Sequence, residues 1–89
     1  MPPRTRSFEE NAHRRAFGDR VRELRLNRNL SQQALAELAG LDRSYVNGTE
    51  NGHRNASLDS IHALAKALDV EAADLFVRGS RSEASATSG

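Results

Sequence analysis

The stretch that decides the fold runs from Leu30 to Glu50 and reads LSQQALAELAGLDRSYVNGTE. Ser31 stands where a helix N-cap is needed, because its hydroxyl can accept from a backbone N–H that has no partner in the first turn. The helix it opens is expected over Gln32 to Ala39, with Leu35, Leu38 and Ala39 as its buried face. Gly40 then stops it, since glycine readily takes the positive φ that reverses the chain. Asp42 is a second N-cap, and the next helix is expected from Arg43 to about Glu50. The turn signal Asn51-Gly52 closes that helix. Two short helices joined by a glycine-containing link fit a helix-turn-helix, and Ala36 is small enough for their close approach.

On a wheel of ~100° per residue, the second of these helices has two unlike sides. Val46 and Thr49 fall together and would face the domain. Arg43, Ser44, Asn47 and Gly48 lie opposite and offer a guanidinium, a hydroxyl and an amide. Those groups suit base edges: Arg pairs with guanine, Asn with adenine and Ser with either. Gly48, without a side chain, would let the helix lie deep in a groove. An ordinary amphipathic helix with a solvated face has the same layout, so the wheel alone does not decide function.

Upstream, Phe17, Val21 and Leu24 recur at helical spacing with charged residues between them, which predicts a helix from Phe8 or Glu10 to about Arg28. Asn29 suits its end, being tolerant of the left-handed conformation. Downstream, His53 to Ala56 form a linker and Ser57 is the next N-cap. Leu58, Ile61, Leu64, Ala65 and Leu68 mark an amphipathic stripe, and Ala72 to Val77 read as a short fifth helix. No segment alternates with period two. The fold class is therefore all-α, a compact bundle of four to five short helices. Of 18 Leu, Ile, Val and Phe residues, 17 lie between Phe17 and Val77, which places the core there. Residues 16–77 are read as the domain and residues 1–15 as a basic, flexible N-terminal arm. Residues 78–89, rich in Gly, Ser, Ala and Thr, are read as a disordered C-terminal tail.

The 89 residues make one small domain, and 13 basic against 12 acidic side chains leave a net charge of +1. The distribution says more: residues 1–30 carry +4 (eight Arg, four acids), and residues 31–77 carry −4 (three bases, seven acids). A basic N-terminal segment is a common way to hold an anion such as nucleic acid. The absence of cysteine excludes disulfides and thiolate-bound zinc. No apolar run approaches the ~20 residues that cross a bilayer, and no secretory signal is present, so a cytoplasmic location is expected and a membrane partner is not.

Enzymatic readings find little support. His13, His53 and His62 are far apart and lack helical metal-ligand spacing. Ser31, Ser44 and Ser57 suit caps or polar helix positions, with no organised base beside them. Glu9 and Glu10 are adjacent and so point to different helix faces. No catalytic residue, cofactor site or metal site is expected, and the chain is not expected to be an enzyme.

The run from 30 to 50, preceded by FGDRVRELR and followed by NGHRNASLDSIHALAKALDVEAADLF, resembles the Cro-type (Xre-like) phage-repressor helix-turn-helix family. The resemblance spans residues 17–77. Within the family, LDRSYVNG followed by Arg54-Asn55 is similar to small stand-alone controller proteins of restriction–modification systems. It implies a lambda-repressor-like DNA-binding domain: a sequence-specific transcriptional regulator that binds a palindromic double-stranded DNA operator as a homodimer. By position it implies base reading by Arg43, Ser44, Asn47 and Gly48. Contacts to the DNA backbone would come from Ser31, Gln32, Tyr45, Asn51, Arg54 and Asn55, with Gln32 also buttressing the recognition helix. Arg25 and Glu50 fall where the family often keeps an internal ion pair. Thr49 stands where the family normally has Ile or Leu, and Ala56 where Pro is common. Leu68, Val70, Leu75, Phe76 and Val77 are more apolar surface than one small domain readily covers, so a self-complementary dimer interface is expected there. The alternative is an antitoxin or protein-interaction module whose DNA binding is secondary autoregulation. Such a module usually needs an extension beyond the DNA-binding unit.

Overall fold

A computed structural model describes the backbone of residues 3–77 and the side chains of residues 12–77. The reading of residues 78–89 lies outside the described residues. Four helices, α1 (Pro3–Asn27), α2 (Gln32–Ala39), α3 (Arg43–Glu50) and α4 (Leu58–Leu68), are followed by a 3₁₀ helix, Ala72–Phe76. The described residues contain no strand. All five elements expected from the sequence are present, the last as a 3₁₀ turn.

α1 begins at Pro3, not at Phe8 or Glu10, and so takes in most of the segment read as an arm. Proline is tolerated in a first turn because the N–H it lacks would have no partner there. The other boundaries follow local chemistry. Asn29 takes φ 57 after α1, and Gly40 takes φ 70 after α2. The Ser31 hydroxyl accepts from the Ala34 N–H at 3.0 Å, and the Ser57 hydroxyl accepts from the Ser60 N–H at 3.1 Å. Asp42 occupies the N-cap position of α3 but makes no side-chain capping bond. α4 ends on Asp69, itself left-handed at φ 60.

Val21, Leu35, Val46, Leu64, Leu68 and Leu75 form the fully buried core, with Ala36 and Ala65 packed among them. Two expected core members are not in it. Leu38 is 62% exposed, because the inward face of α2 is centred between Leu35 and Ala36 and Leu38 lies beyond its edge. Leu58 opens α4 ahead of the stripe that packs and is also exposed. α1 is tied to the 3₁₀ helix by Arg20, whose Nε donates to the Asp74 carbonyl at 2.7 Å. The rings of Phe17 and Phe76 meet there at 5.3 Å between centroids.

Leu68 and Leu75, expected at a dimer face, are fully buried within the single chain. They belong to the core, because the 3₁₀ helix folds back onto α4 and α1 and turns both side chains inward. Of that group, Phe76 and Val77 remain exposed, at 62% and 36%, and Val70 is half-buried.

Candidate nucleic-acid interface

α3 is eight residues long and has two unlike faces. Val46, Thr49 and Glu50 are buried, whereas Arg43, Ser44 and Asn47 are exposed in a row on the outside. The wheel read from the sequence thus separates the two faces as they occur. Thr49 is 1% exposed, and its Oγ1 has no hydrogen-bond partner. It brings an unpaired hydroxyl into the core.

Close approach between α1 and the end of α3 sets the helix in place. A Cβ on Gly18 of α1 would collide with the Thr49 carbonyl oxygen and stand 2.8 Å from the Glu50 carbonyl oxygen. One turn earlier in α1, Arg15 abuts the Asn51-Gly52 turn: a Cβ on Gly52 would lie 3.2 Å from the Arg15 Cα. Gly52 also takes φ 77, so both space and backbone conformation require glycine there. Sequence reasoning missed Gly18. Its signal was available, since a glycine inside a helix costs ~1 kcal/mol relative to alanine and so asks for a packing reason.

The other anchor is electrostatic. Arg25 Nε donates to Glu50 Oε2 at 2.7 Å, and Arg25 Nη2 donates to Glu50 Oε1 at 3.0 Å. Arg25 Nη1 also donates to the Leu30 carbonyl at 2.8 Å, which binds the α1–α2 connection into the same group. Hydrogen bonding to Glu50 raises the Arg25 pKa above its ordinary value, against the opposing effect of burial. Gln32 opens α2 and donates from Nε2 to Glu50 Oε1 at 3.1 Å. Its Oε1 accepts from Asn47 Nδ2 at 3.2 Å. Asn51, expected to face the DNA backbone, donates from Nδ2 to the Asn47 carbonyl at 3.0 Å and to Asn47 Oδ1 at 3.3 Å.

Arg54 leaves the α3–α4 loop and lies back across α3. Its guanidinium carbon is 4.9 Å from the centre of the Tyr45 ring, within range of a cation–π attraction. A Cβ on Gly48 would stand 3.0 Å from the Arg54 Cγ, so Gly48 is half-covered by this side chain. Tyr45, Gly48 and Arg54 therefore form one unit on the flank of the exposed row. Ser31 spends its hydroxyl on the α2 cap, and Asn55 is exposed in the loop. Of the residues expected at the interface, hydrogen bonds join Gln32, Asn47 and Asn51, and side-chain packing joins Tyr45, Gly48 and Arg54.

The helix-turn-helix family model matches residues 21–75. The chain belongs to this family, the Xre-like helix-turn-helix class, and is a DNA-binding regulator of transcription. Among named relatives, it is 46% identical over 61 residues to control protein C.BamHI of Bacillus amyloliquefaciens, covering 67% of this chain and 75% of that one. It is 40% identical over 62 residues to control protein C.SmaI of Serratia marcescens, covering 70% of this chain and 74% of the relative. The crystal structure of the restriction-modification controller protein C.AhdI from Aeromonas hydrophila superposes with a TM-score of 0.72 at 57% identity, over 73% of this chain and 98% of that one. The likeness to controller-type regulators read from LDRSYVNG and Arg54-Asn55 therefore holds. Among the described residues, no helix is long and apolar enough to cross a membrane.

Proposed function

We propose that the chain binds double-stranded DNA as a twofold dimer, with α3 of each copy in the major groove of one half of a palindromic operator. The observation that carries this is the exposed row Arg43, Ser44 and Asn47 on a helix whose opposite face is pinned by Glu50 to Arg25. Base reading falls to that row and phosphate contact to Gln32, Tyr45, Arg54 and Asn55. Gly48 sits between the two groups, its backbone flanked by Arg54.

An eight-residue recognition helix offers few contacts, and two half-sites about one helical turn apart are the usual remedy. The exposed Phe76 and Val77 border an apolar groove of about 420 Å³ lined also by His13, Ala16, Phe17 and Leu75. This groove and the half-buried Val70 are the surface we assign to the second copy, and the fully buried Leu68 has no part in it. The protein acts by binding, without catalysis or cofactor, and in the cytoplasm where operator DNA lies. Controller-type action, as in the relatives' names, is the role we assign to it.

Selection of bound sequences from random double-stranded DNA tests the reading. The expected product is an inverted repeat bound by two chains, seen by sedimentation of the complex. Enrichment of no sequence, or a complex of one chain per site, would overturn it.

A further inference from the structure

The polar face of α3 is not a set of independent side chains. A guanidinium has only donors, and an ionised carboxylate only acceptors. With Arg25 donating to both Glu50 oxygens, Glu50 can only accept from Gln32. Gln32 must therefore turn Nε2 toward Glu50 Oε1, at 3.1 Å, which leaves Gln32 Oε1 facing α3. Asn47 must meet that oxygen with Nδ2, at 3.2 Å, so its Oδ1 lies on the far side of the amide. There Asn51 Nδ2 donates to it at 3.3 Å. The sense of Asn51 is set separately, because the same nitrogen donates to the Asn47 main-chain carbonyl at 3.0 Å. Rotating the Asn47 amide by half a turn would place oxygen against oxygen at Gln32 and nitrogen against nitrogen at Asn51. The buried ion pair thus dictates which end of an exposed amide donates and which accepts.

We propose that this relay makes Asn47 a reader of one sense only, with Gln32 and Asn51 as the positioning residues that set base selection. The inference rests on α3 lying in the major groove, as proposed above. A primary amide has two N–H groups and four lone-pair and hydrogen positions in all, so Asn47 keeps one N–H and one lone pair after its two side-chain bonds. Base pairs differ in the order in which they show donors and acceptors across the major groove. Adenine shows acceptor N7 beside donor N6, and the pair turned around shows the reverse order. An amide of fixed sense matches one order, whereas an amide free to turn matches both. The relay therefore confers preference for adenine on one strand over pairs that present the reversed order. Its effect is on selectivity at one position, not on attraction to phosphate.

The test is selection from random duplex DNA with the full chain and three variants, Asn47→Ala, Gln32→Met and Asn51→Ala. Asn47→Ala should abolish preference at a single position in each half-site. Gln32→Met keeps the length of the side chain without its donor or its amide oxygen, and should lower preference at that same position roughly tenfold. The other positions should keep theirs. Asn51→Ala interrupts the relay at its exposed end, where no core packing is lost, and should relax the same position, so the test stands even if Gln32→Met unfolds. Unchanged preference in both positioning variants would overturn the inference, as would an even loss at all positions. If Asn47→Ala leaves every preference intact while the parent chain still selects an operator, the inference fails and the groove reading stands. If the parent chain selects no sequence, both fail together.

Discussion

Replacing Thr49 by Val isolates the one flaw visible in the core of the recognition helix. Thr49 is 1% exposed and its hydroxyl finds no partner. A buried hydrogen-bonding group left unmade costs about 1–3 kcal/mol. Valine has nearly the same shape, so the substitution neither opens a cavity nor overpacks. Both residues are β-branched with similar helix propensity, and that contribution nearly cancels. The exchange of a hydroxyl for a methyl also adds apolar burial of the order of 0.8 kcal/mol. Allowing for relaxation around the hydroxyl in the parent chain, Thr49→Val should stabilise by about 1–2 kcal/mol. For a domain of this size, each kcal/mol moves the melting temperature by roughly 4–8 °C. Thermal and urea unfolding of the two chains measure it, with Thr49→Ser as the control that keeps the hydroxyl and loses a methyl. Equal or lower stability for the valine variant would refute the reasoning, because it would mean that the hydroxyl is satisfied in the folded chain.

Gly18→Ala should destabilise by about 1–3 kcal/mol despite its gain in helix propensity, since the added methyl meets the Thr49 and Glu50 carbonyls; chemical denaturation reads this directly. Glu50→Ala strands Arg25 in a mostly buried site and should cost about 3–5 kcal/mol. A cycle with Arg25→Ala should show coupling well above the ~0.5 kcal/mol expected of independent sites. Gly48→Ala should gain less than the ~1 kcal/mol of helix propensity, because Arg54 must move aside. The full gain should return in the Arg54→Ala background, as paired melting curves would show.

Much of the fold was legible because helix ends are written in local chemistry. Ser31, Ser57, Gly40 and Asn29 do at their positions what their side chains and φ preferences favour. The two faces of α3 followed from periodicity alone, and the Arg25–Glu50 pair from family resemblance. What was not legible depends on how elements meet. Leu38 and Leu58 carry the same apolar signal as Leu35 and Leu64, and only the centre of each packed face separates them. Leu68 and Leu75 looked surplus when apolar residues were counted, but the fold of the last turn inward decides their burial. The start of α1 was missed because no apolar period runs ahead of Phe8. At the interface, position did not foretell that Asn51 bonds and Arg54 packs back onto α3. Such returns depend on side-chain reach across a turn, which spacing does not record.

The central claim is that α3 reads bases while the loop after it holds phosphate, and it is tested most directly by comparing Arg43→Ala with Arg54→Ala on the selected operator. Binding is measured against single-base variants of the site and across a salt series. Arg43→Ala should relax preference at one position in each half-site, a discrimination of roughly 1–3 kcal/mol. Arg54→Ala should weaken every site alike and lower the salt slope by about one unit. Equal loss of base preference in the two variants, or a salt slope lowered by Arg43→Ala alone, would contradict the account.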